Sequence, residues 1–458
     1  MTDAIVAVRP PQDRLSARLA RSAESDGEVQ DVIDWLHERR ASGRFTAERI
    51  AFADLEGWSF DETSGNLRHR TRRFFTVEGM RATVTGPGVR REWHQPVINQ
   101  PETGILGILA KEFDGVLHFL VQAKMEPGNP GLVQLSPTVQ ATRSNYTRAH
   151  GGGTVRYLDF FTRPGRTERV LADGLQSEHG SWFWRKFNRN MVVETASEVP
   201  LHEDFRWLTL HQLGRLLRQD HTVNMDTRTV LSCLPLTSPA DDTLYTDGES
   251  LSWIAAERSR QRVRAELLPL TGLPGWAAGP WSIEHEQGRY FRVVAVAAGA
   301  DNREVTRWTQ PMIEPLGTGV AAFLTRTNGK QTELLVQARA EGGLLDQVEL
   351  APTVQCTPAH HAHLPGGERP PFLDEVLSAS AERVHYGATH SEEGGRFFRS
   401  QARYLLVEAD EHQARLRPPS GFSWIPVGRL NALVRHGHHV NVQARSLLAC
   451  LHALAAPR

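Results

Sequence analysis

Gln122, Lys124 and Glu126 stand at alternate positions of an apolar run. Side chains two apart on a strand share a face, so an amide, a cation and a carboxylate point one way while Phe119, Val121, Ala123 and Met125 point to a core. That set suits an anionic, hydroxylated ligand, although a solvent-facing strand can show the same pattern. The set recurs as Gln337, Arg339 and Glu341. Downstream, Gln140, Arg143, Asn145, Tyr146 and Arg148 form a segment dense in hydrogen-bonding groups, and its later counterpart keeps Gln355 before diverging. A third region interleaves cations with aromatics: Arg185, Lys186 and Arg189 among Trp182, Phe183, Trp184 and Phe187, then Arg396, Arg399 and Arg403 in the second copy. Cations beside aromatic rings suit a diphosphate next to a stacked base. A strand with an aromatic core face and a basic outer face would read the same. Trp93 and Trp308, each two residues before a Gln-Pro pair, could stack a base or simply pack.

These copies belong to a tandem duplication. Trp93–Ile98, Leu120–Lys124 and Pro137–Gln140 recur as Trp308–Ile313, Leu335–Arg339 and Pro352–Gln355, each 215 positions later. Phe183–Glu194 matches Phe397–Glu408, and Trp207, Leu213, Asn224, Arg228 and Cys233 match Trp424, Leu430, Asn441, Arg445 and Cys450, 217 positions on. Upstream, Trp35 is paired with Trp253 and Trp58 with Trp281. The expected organisation is a loose tail over 1–26, a first repeat over 27–235, a polar linker over 236–249 and a second repeat over 250–458. Each repeat should open with a helix, Val29–Arg40 and Ser252–Leu267. Strands should follow at Leu117–Met125 and Glu333–Ala340, with Leu132–Gln140 returning as a hairpin after the turn Glu126–Gly131. Two Leu-rich helices should close each repeat, and the class is mixed α+β.

Several function classes drop out. Formal net charge is −1, so no basic field points to nucleic acid or an anionic membrane. No apolar run approaches the roughly 20 residues that span a bilayer. Met1–Asp26 shows no apolar core of a secretory signal, and three cysteines without a C-x-x-C suit a reducing cytoplasm. No P-loop, His-Glu-x-x-His or Gly-x-Ser-x-Gly motif occurs. Gly317-Thr-Gly319 only loosely resembles a dinucleotide fingerprint. The histidines at 360, 361 and 363, and at 436, 438 and 439, have no matching ligand set in the other repeat, so no metal is expected.

The paired W-x-Q-P-x-I, L-V-Q-A-[K/R], P-T-V-Q and S-E-x-G-x-[W/R]-F segments resemble the NDP-hexose 2,3-dehydratases over about residues 28–455. The resemblance implies two Nudix-like domains related by a pseudo-two-fold axis, a homodimer, and two nucleotide-sugar pockets per chain. It also implies a substrate such as dTDP-4-keto-6-deoxyglucose, a place in deoxysugar and antibiotic biosynthesis, and a sugar 3-ketoreductase acting on the product. Neither repeat carries a Nudix box, so pyrophosphatase chemistry is the weaker alternative, beside a non-catalytic nucleotide-sugar-binding protein. A dehydratase of this kind needs a base, an enolate stabiliser and an acid, with no cofactor. Glu126, Lys124 and Tyr146 are the candidates. The substrate-binding set is Trp93, Gln122, Gln140, Arg143, Asn145, Arg148, Arg185, Lys186, Arg189, Trp308, Gln337, Arg339, Glu341, Gln355, Arg396, Arg399 and Arg403. The first repeat, richer in groups able to give a proton, is expected to be catalytic and the second mainly to bind.

Overall fold

A computed structural model describes residues 11–86, 89–142, 155–163, 165, 167–235, 248–301, 305–329, 331–365, 368–451 and 454. The class is mixed α+β, with two seven-stranded and two five-stranded sheets among these residues. In the first repeat the large sheet runs Glu168–Ser177, Phe187–Thr195, Gly104–Phe113, Val116–Met125, Phe205–Thr209. Phe187–Thr195 and Gly104–Phe113 are parallel, whereas Gly104–Phe113 and Val116–Met125 form an antiparallel hairpin. The second repeat has the same order: Val384–Ser391, Gln401–Glu408, Gly319–Asn328, Gln331–Ala340, Phe422–Pro426.

The expected strand Leu132–Gln140 divides. Val133–Pro137 pairs with Val116–Met125, then Val139–Ala141 moves to Gly104–Phe113. Between them Thr138 turns inward, and its hydroxyl donates to the Leu120 carbonyl and accepts from Leu109 N–H at 2.8 Å. The switch brings Gln140 alongside Lys124.

The five-stranded sheets exchange strands between repeats. Phe45–Ile50 of the first repeat pairs with Phe291–Ala300 of the second, and Arg262–Leu268 of the second pairs with Thr76–Gly86 of the first. The repeat boundary is therefore not a sheet boundary. This corrects the expected helix Ser252–Leu267: the helix is Gly248–Arg260, and the next segment is a strand. The alternation Arg262-Val-Arg-Ala-Glu reads at period two, and a sheet edge lies within reach to pair with it. The helix also opens inside the expected linker, of which 236–247 lie outside the described residues. Nor is the whole N-terminal segment a loose tail. Pro11–Glu24 is a helix that buries Leu15 and Leu19 in the main core, and Ser22 Oγ donates to the Leu117 carbonyl at 2.6 Å. Trp58 corresponds to Trp276 rather than Trp281. Their indole N–H groups donate to Thr309 and His94, themselves 215 positions apart, while Trp281 is largely exposed.

Each repeat also sends a loop into the other. Ser391–Arg399 crosses to the turn after Glu126, where Gly128 N–H donates to Gly394 O and Arg399 N–H donates to Gly128 O, both at 2.8 Å. Reciprocally, Gly343 N–H donates to Gly180 O at 2.8 Å and Arg185 N–H to Gly343 O at 2.7 Å. The backbones meet so closely that a Cβ on Gly128 would lie 1.8 Å from Phe397 O, and one on Gly343 would lie 1.9 Å from Phe183 O. Two buried arginines hold the crossing chains. Arg228 donates to Val223 O and Ser391 O, both at 2.7 Å, and Arg445 donates to Val440 O and Ser177 O, both at 2.5 Å. Hydrogen bonds from a charged donor contribute about 1.5–3 kcal/mol each.

Because the Cβ clash at Gly128 is with backbone, Gly128→Ala should cost about 1–3 kcal/mol, the usual scale of overpacking. The thermal unfolding midpoint should fall, and activity should fall with it as the crossing loop shifts. An unchanged midpoint would show that the loops are not locked together there.

Candidate active site

The strand Val116–Met125 ends at the mouth of one repeat's sheet, and Glu126 begins the turn that follows. Its carboxylate accepts from Gln140 Nε2 at 2.6 Å and Asn129 Nδ2 at 3.1 Å, with Asn224 Nδ2 at 3.4 Å. Lys124 Nζ donates to Gln140 Oε1 at 2.8 Å, so the amide links cation and carboxylate. Asn224 is placed by its second task, capping the helix Met225–Leu231. That helix carries Asp226.

Lys124, Glu126, Gln140 and Asp226 line a cavity of about 930 Å³, near the upper end of the ~300–1,000 Å³ typical of small-molecule sites. Its walls come from both repeats. Lys124, Glu126, Gln140, Glu178, Lys186, Asn188 and Asp226 belong to the first; Arg307, Trp308, Glu393 and Arg396 belong to the second. Ligand-capable oxygens of Glu126, Asp226 and Glu393 lie within 4.8 Å of one another, and this is the one such group of metal-capable side chains among the described residues. The expectation that no metal-ligating set exists was formed within single repeats; the crossing loop assembles this one from two.

Charge is distributed unevenly along the cavity. Burial, reinforced by Glu126, Glu178 and Glu393, pushes the Asp226 carboxyl well above the ordinary carboxylate range. Burial also pushes Glu393 up to about 7, with Arg396 opposing and Glu126 and Glu178 adding to the rise. Asp226 Oδ1, Glu178 Oε2 and Glu393 Oε2 are buried without a hydrogen-bond partner. Lys186, buried and bound to Glu102 O and, at 2.9 Å, to Asn188 Oδ1, is brought down to about 8 by that burial. Around the opening, Arg70, Arg72, Arg73 and Arg307 are exposed. A carboxyl-rich floor under an arginine rim can hold an anion at the mouth while acid–base groups meet a neutral portion below.

The chain matches the model of the NDP-hexose 2,3-dehydratase family twice, over residues 29–234 and 247–451. It belongs to that family. A relative from Amycolatopsis orientalis, named dTDP-4-dehydro-6-deoxy-alpha-D-glucopyranose 2,3-dehydratase, is 56% identical over 99% of this chain and 97% of its own length. Two relatives of the same name, from Saccharopolyspora spinosa and Streptomyces violaceoruber, are 50% and 48% identical, each over 92% of this chain and 91% and 96% of their own lengths. The NDP-hexose 2,3-dehydratases are carbon–oxygen lyases, which places this chain among enzymes rather than binding proteins or pyrophosphatases.

Within this 2,3-dehydratase the expected residues separate into three groups. Lys124, Glu126, Gln140, Lys186, Trp308 and Arg396 line the cavity. Arg143, Asn145, Tyr146 and Arg148 lie outside the described residues. The others are not brought to it. Trp93 packs with Met80 and Trp184, and its indole N–H donates to Gln95 at 3.1 Å. Gln122 and Gln337 sit a residue pair further from the strand ends than Lys124 and Arg339. Arg185 lies over Trp184, Arg189 pairs with Asp173 at 2.6 Å, Arg399 lies over Phe398, and Arg403 is exposed on its strand. Arg339, Glu341 and Gln355 form their own network in the second repeat. Glu341 accepts from Arg339 at 3.0 Å, Gln355 at 3.1 Å and, across the crossing loop, Ser181 at 3.0 Å. The histidine clusters form no ligand set among the described residues, and Gly317–Gly319 joins two strands rather than opening a helix.

Asp226, Glu178, Glu393 and the rim arginines were missed. The duplication held a signal for two of them: Asp226 aligns with Gln443 at the 217-residue offset, and Glu393 aligns with His179 at the 214-residue offset of Phe183 and Phe397. The two repeats thus share the Gln–cation–Glu network but differ in the carboxyl groups around it. Glu126→Gln should lower turnover by about 10²-fold or more, the scale of a general acid or base. Glu341→Gln should act mainly on binding. Steady-state kinetics on folded variants checks the ranking, and the reverse order would move the chemistry to the second repeat.

Proposed function

We propose that this chain removes water from dTDP-4-keto-6-deoxy-D-glucose, across C2 and C3, to give a 3,4-diketo-2,6-dideoxy sugar nucleotide. The observation that carries the reading is the cavity's polarity: exposed Arg70, Arg72, Arg73 and Arg307 at the mouth, buried Glu126 and Asp226 with partly buried Glu393 at the floor. The rim suits a diphosphate, and Trp308 offers a ring for the base. A sugar reaching inward from that diphosphate meets the floor.

The C4 ketone acidifies the C3 proton. Glu126 takes that proton, leaving an enolate on the C4 oxygen, and Lys124 is the cation nearest in the network to hold it. Tyr146 remains the candidate hydroxyl donor on the segment after Gln140. The enolate collapses to expel the C2 hydroxyl as water, and the enol left at C3 tautomerises to the ketone. No electrons leave the substrate, so no redox cofactor is required.

The finer expectations belong to the same proposal: a Nudix-like fold in each repeat, a pseudo-two-fold relation, a homodimer, metal-independent catalysis, and a ketoreductase consuming the reactive diketone in deoxysugar and antibiotic assembly. Support for the two-fold relation is the reciprocal strand exchange. The expectation of a cytoplasmic protein also stays a proposal; among the described residues no helix is long and apolar enough to cross a membrane.

Incubation with dTDP-4-keto-6-deoxyglucose in deuterium oxide, followed by NMR, tests the reading. Water should be lost from C2 and C3, and recovered substrate should carry deuterium at C3. Exchange at C5 instead, or release of a nucleoside monophosphate, would contradict it.

A further inference from the structure

Three carboxyl groups whose oxygens lie within 4.8 Å of one another cannot all carry charge cheaply. Their neutralisation requires protons or a cation, and the surroundings discriminate between these. Glu126 is already served: Gln140 and Asn129 present N–H donors to its two oxygens, and Lys124 reaches the network through Gln140. Asp226 and Glu393 differ. Asp226 is 3% exposed, lines the cavity and leaves Oδ1 without a partner, and Glu393 likewise leaves Oε2 without one. Both are raised above their ordinary range, chiefly by burial, with Glu126 and Glu178 adding to each and Glu393 adding to Asp226. The charged groups acting on the pair are Glu126, Glu178, Lys124, Arg396 and His179. The amides turned toward Glu126 leave the proton to the other two.

The second repeat is an internal comparison. Its network around Glu341 is intact, yet Gln443 stands where Asp226 does and His179 where Glu393 does. His179 is committed elsewhere, with Nε2 2.9 Å from Glu392 Oε2. A binding role would need the shared network alone. The added pair therefore marks a task present in one site and absent from the other.

We propose that Asp226 and Glu393, one from each repeat, share a proton and deliver it to the C2 hydroxyl as that group leaves. The inference rests on the dehydratase reading of the cavity. In the step, a lone pair of the enolate oxygen reforms the C4 carbonyl, the C3–C4 π pair becomes the C2–C3 double bond, and the C2–O bond breaks with its pair on the departing oxygen. The departing oxygen takes the proton from the pair and leaves as water. The proton Glu126 received from C3 then passes back to the pair, whose oxygens lie within 4.8 Å of its own. The reset needs no outside reactant.

Glu393→Gln and Asp226→Asn keep size and hydrogen bonding, and each is tested separately so that a folding defect in one leaves the other informative. With dTDP-4-keto-6-deoxyglucose in deuterium oxide, both variants should still wash deuterium into C3 while water loss falls by about 10²-fold or more. Deprotonation and departure would then be separated. Variants that dehydrate at the wild-type rate, or that lose exchange and water loss together, would overturn the proposal. So would loss of wild-type activity on chelation with rescue by magnesium, which would make the pair metal ligands. Wild-type protein run in parallel separates the two layers: if it neither exchanges nor dehydrates, the dehydratase reading itself falls.

Discussion

Everything at the site depends on two arginines buried in the seam between repeats. Arg228 and Arg445 occupy equivalent positions on the closing helices and are almost wholly inaccessible; each donates from both terminal nitrogens to backbone carbonyls, and Arg445 Nε donates to the Thr229 hydroxyl at 2.7 Å. One carbonyl of each belongs to the opposite repeat, Ser391 for Arg228 and Ser177 for Arg445. A buried guanidinium is costly unless its donors are met. The crossing loops thus meet the terminal guanidinium nitrogens while the arginines fix the loops. Arg228 also lies over the ring of Tyr404, whose hydroxyl donates to Glu392 at 2.9 Å. Glu392 is held below its usual range despite its burial, by hydrogen bonds from His179 and Tyr404 and the Arg228 charge. The next residue along the loop is Glu393, so this seam determines where a floor carboxyl stands.

Duplication explains how one chain can hold a conserved framework and an asymmetric site at once. Strand exchange and loop crossing make each repeat a structural requirement of the other, so neither can be lost. Their polar linings were nevertheless free to diverge. Gln140 and Gln355 both bridge to a glutamate, and Asn224 and Asn441 both cap a helix while reaching toward that bridge. The polar groups around this common network diverged: Asp226 against Gln443, Glu393 against His179, and Asn129 against Leu344 at the 215-residue offset.

Much of this was legible from residue order. The closing helices and central strands follow from periodicity, and the Gln–cation–Glu motif was found because two copies kept it. What periodicity cannot supply is the identity of a strand's partner. Arg262–Leu268 alternates as a strand should, but only the edge of Thr76–Gly86 shows why it leaves the helix that precedes it. Likewise, Glu393 reads as a residue of the second repeat, and nothing local says that it serves the first. What both repeats retain marks the framework; Asp226 and Glu393 stand apart from it because the other repeat has Gln443 and His179 at their positions. A tryptophan kept in both repeats packs against its neighbours in one, as Trp93, and lines the cavity in the other, as Trp308.

On this reading one working site is assembled from both repeats, with the diphosphate at the arginine rim and the sugar at the carboxyl floor. A crystal structure of the protein with dTDP-4-keto-6-deoxyglucose, or a slowly reacting analogue, tests it most directly. The diphosphate should lie against Arg70, Arg72, Arg73 or Arg307, with the sugar C2 and C3 facing Glu126, Asp226 and Glu393. A sugar ring bound productively against Arg339 and Glu341, with the first cavity holding nucleotide alone, would contradict it.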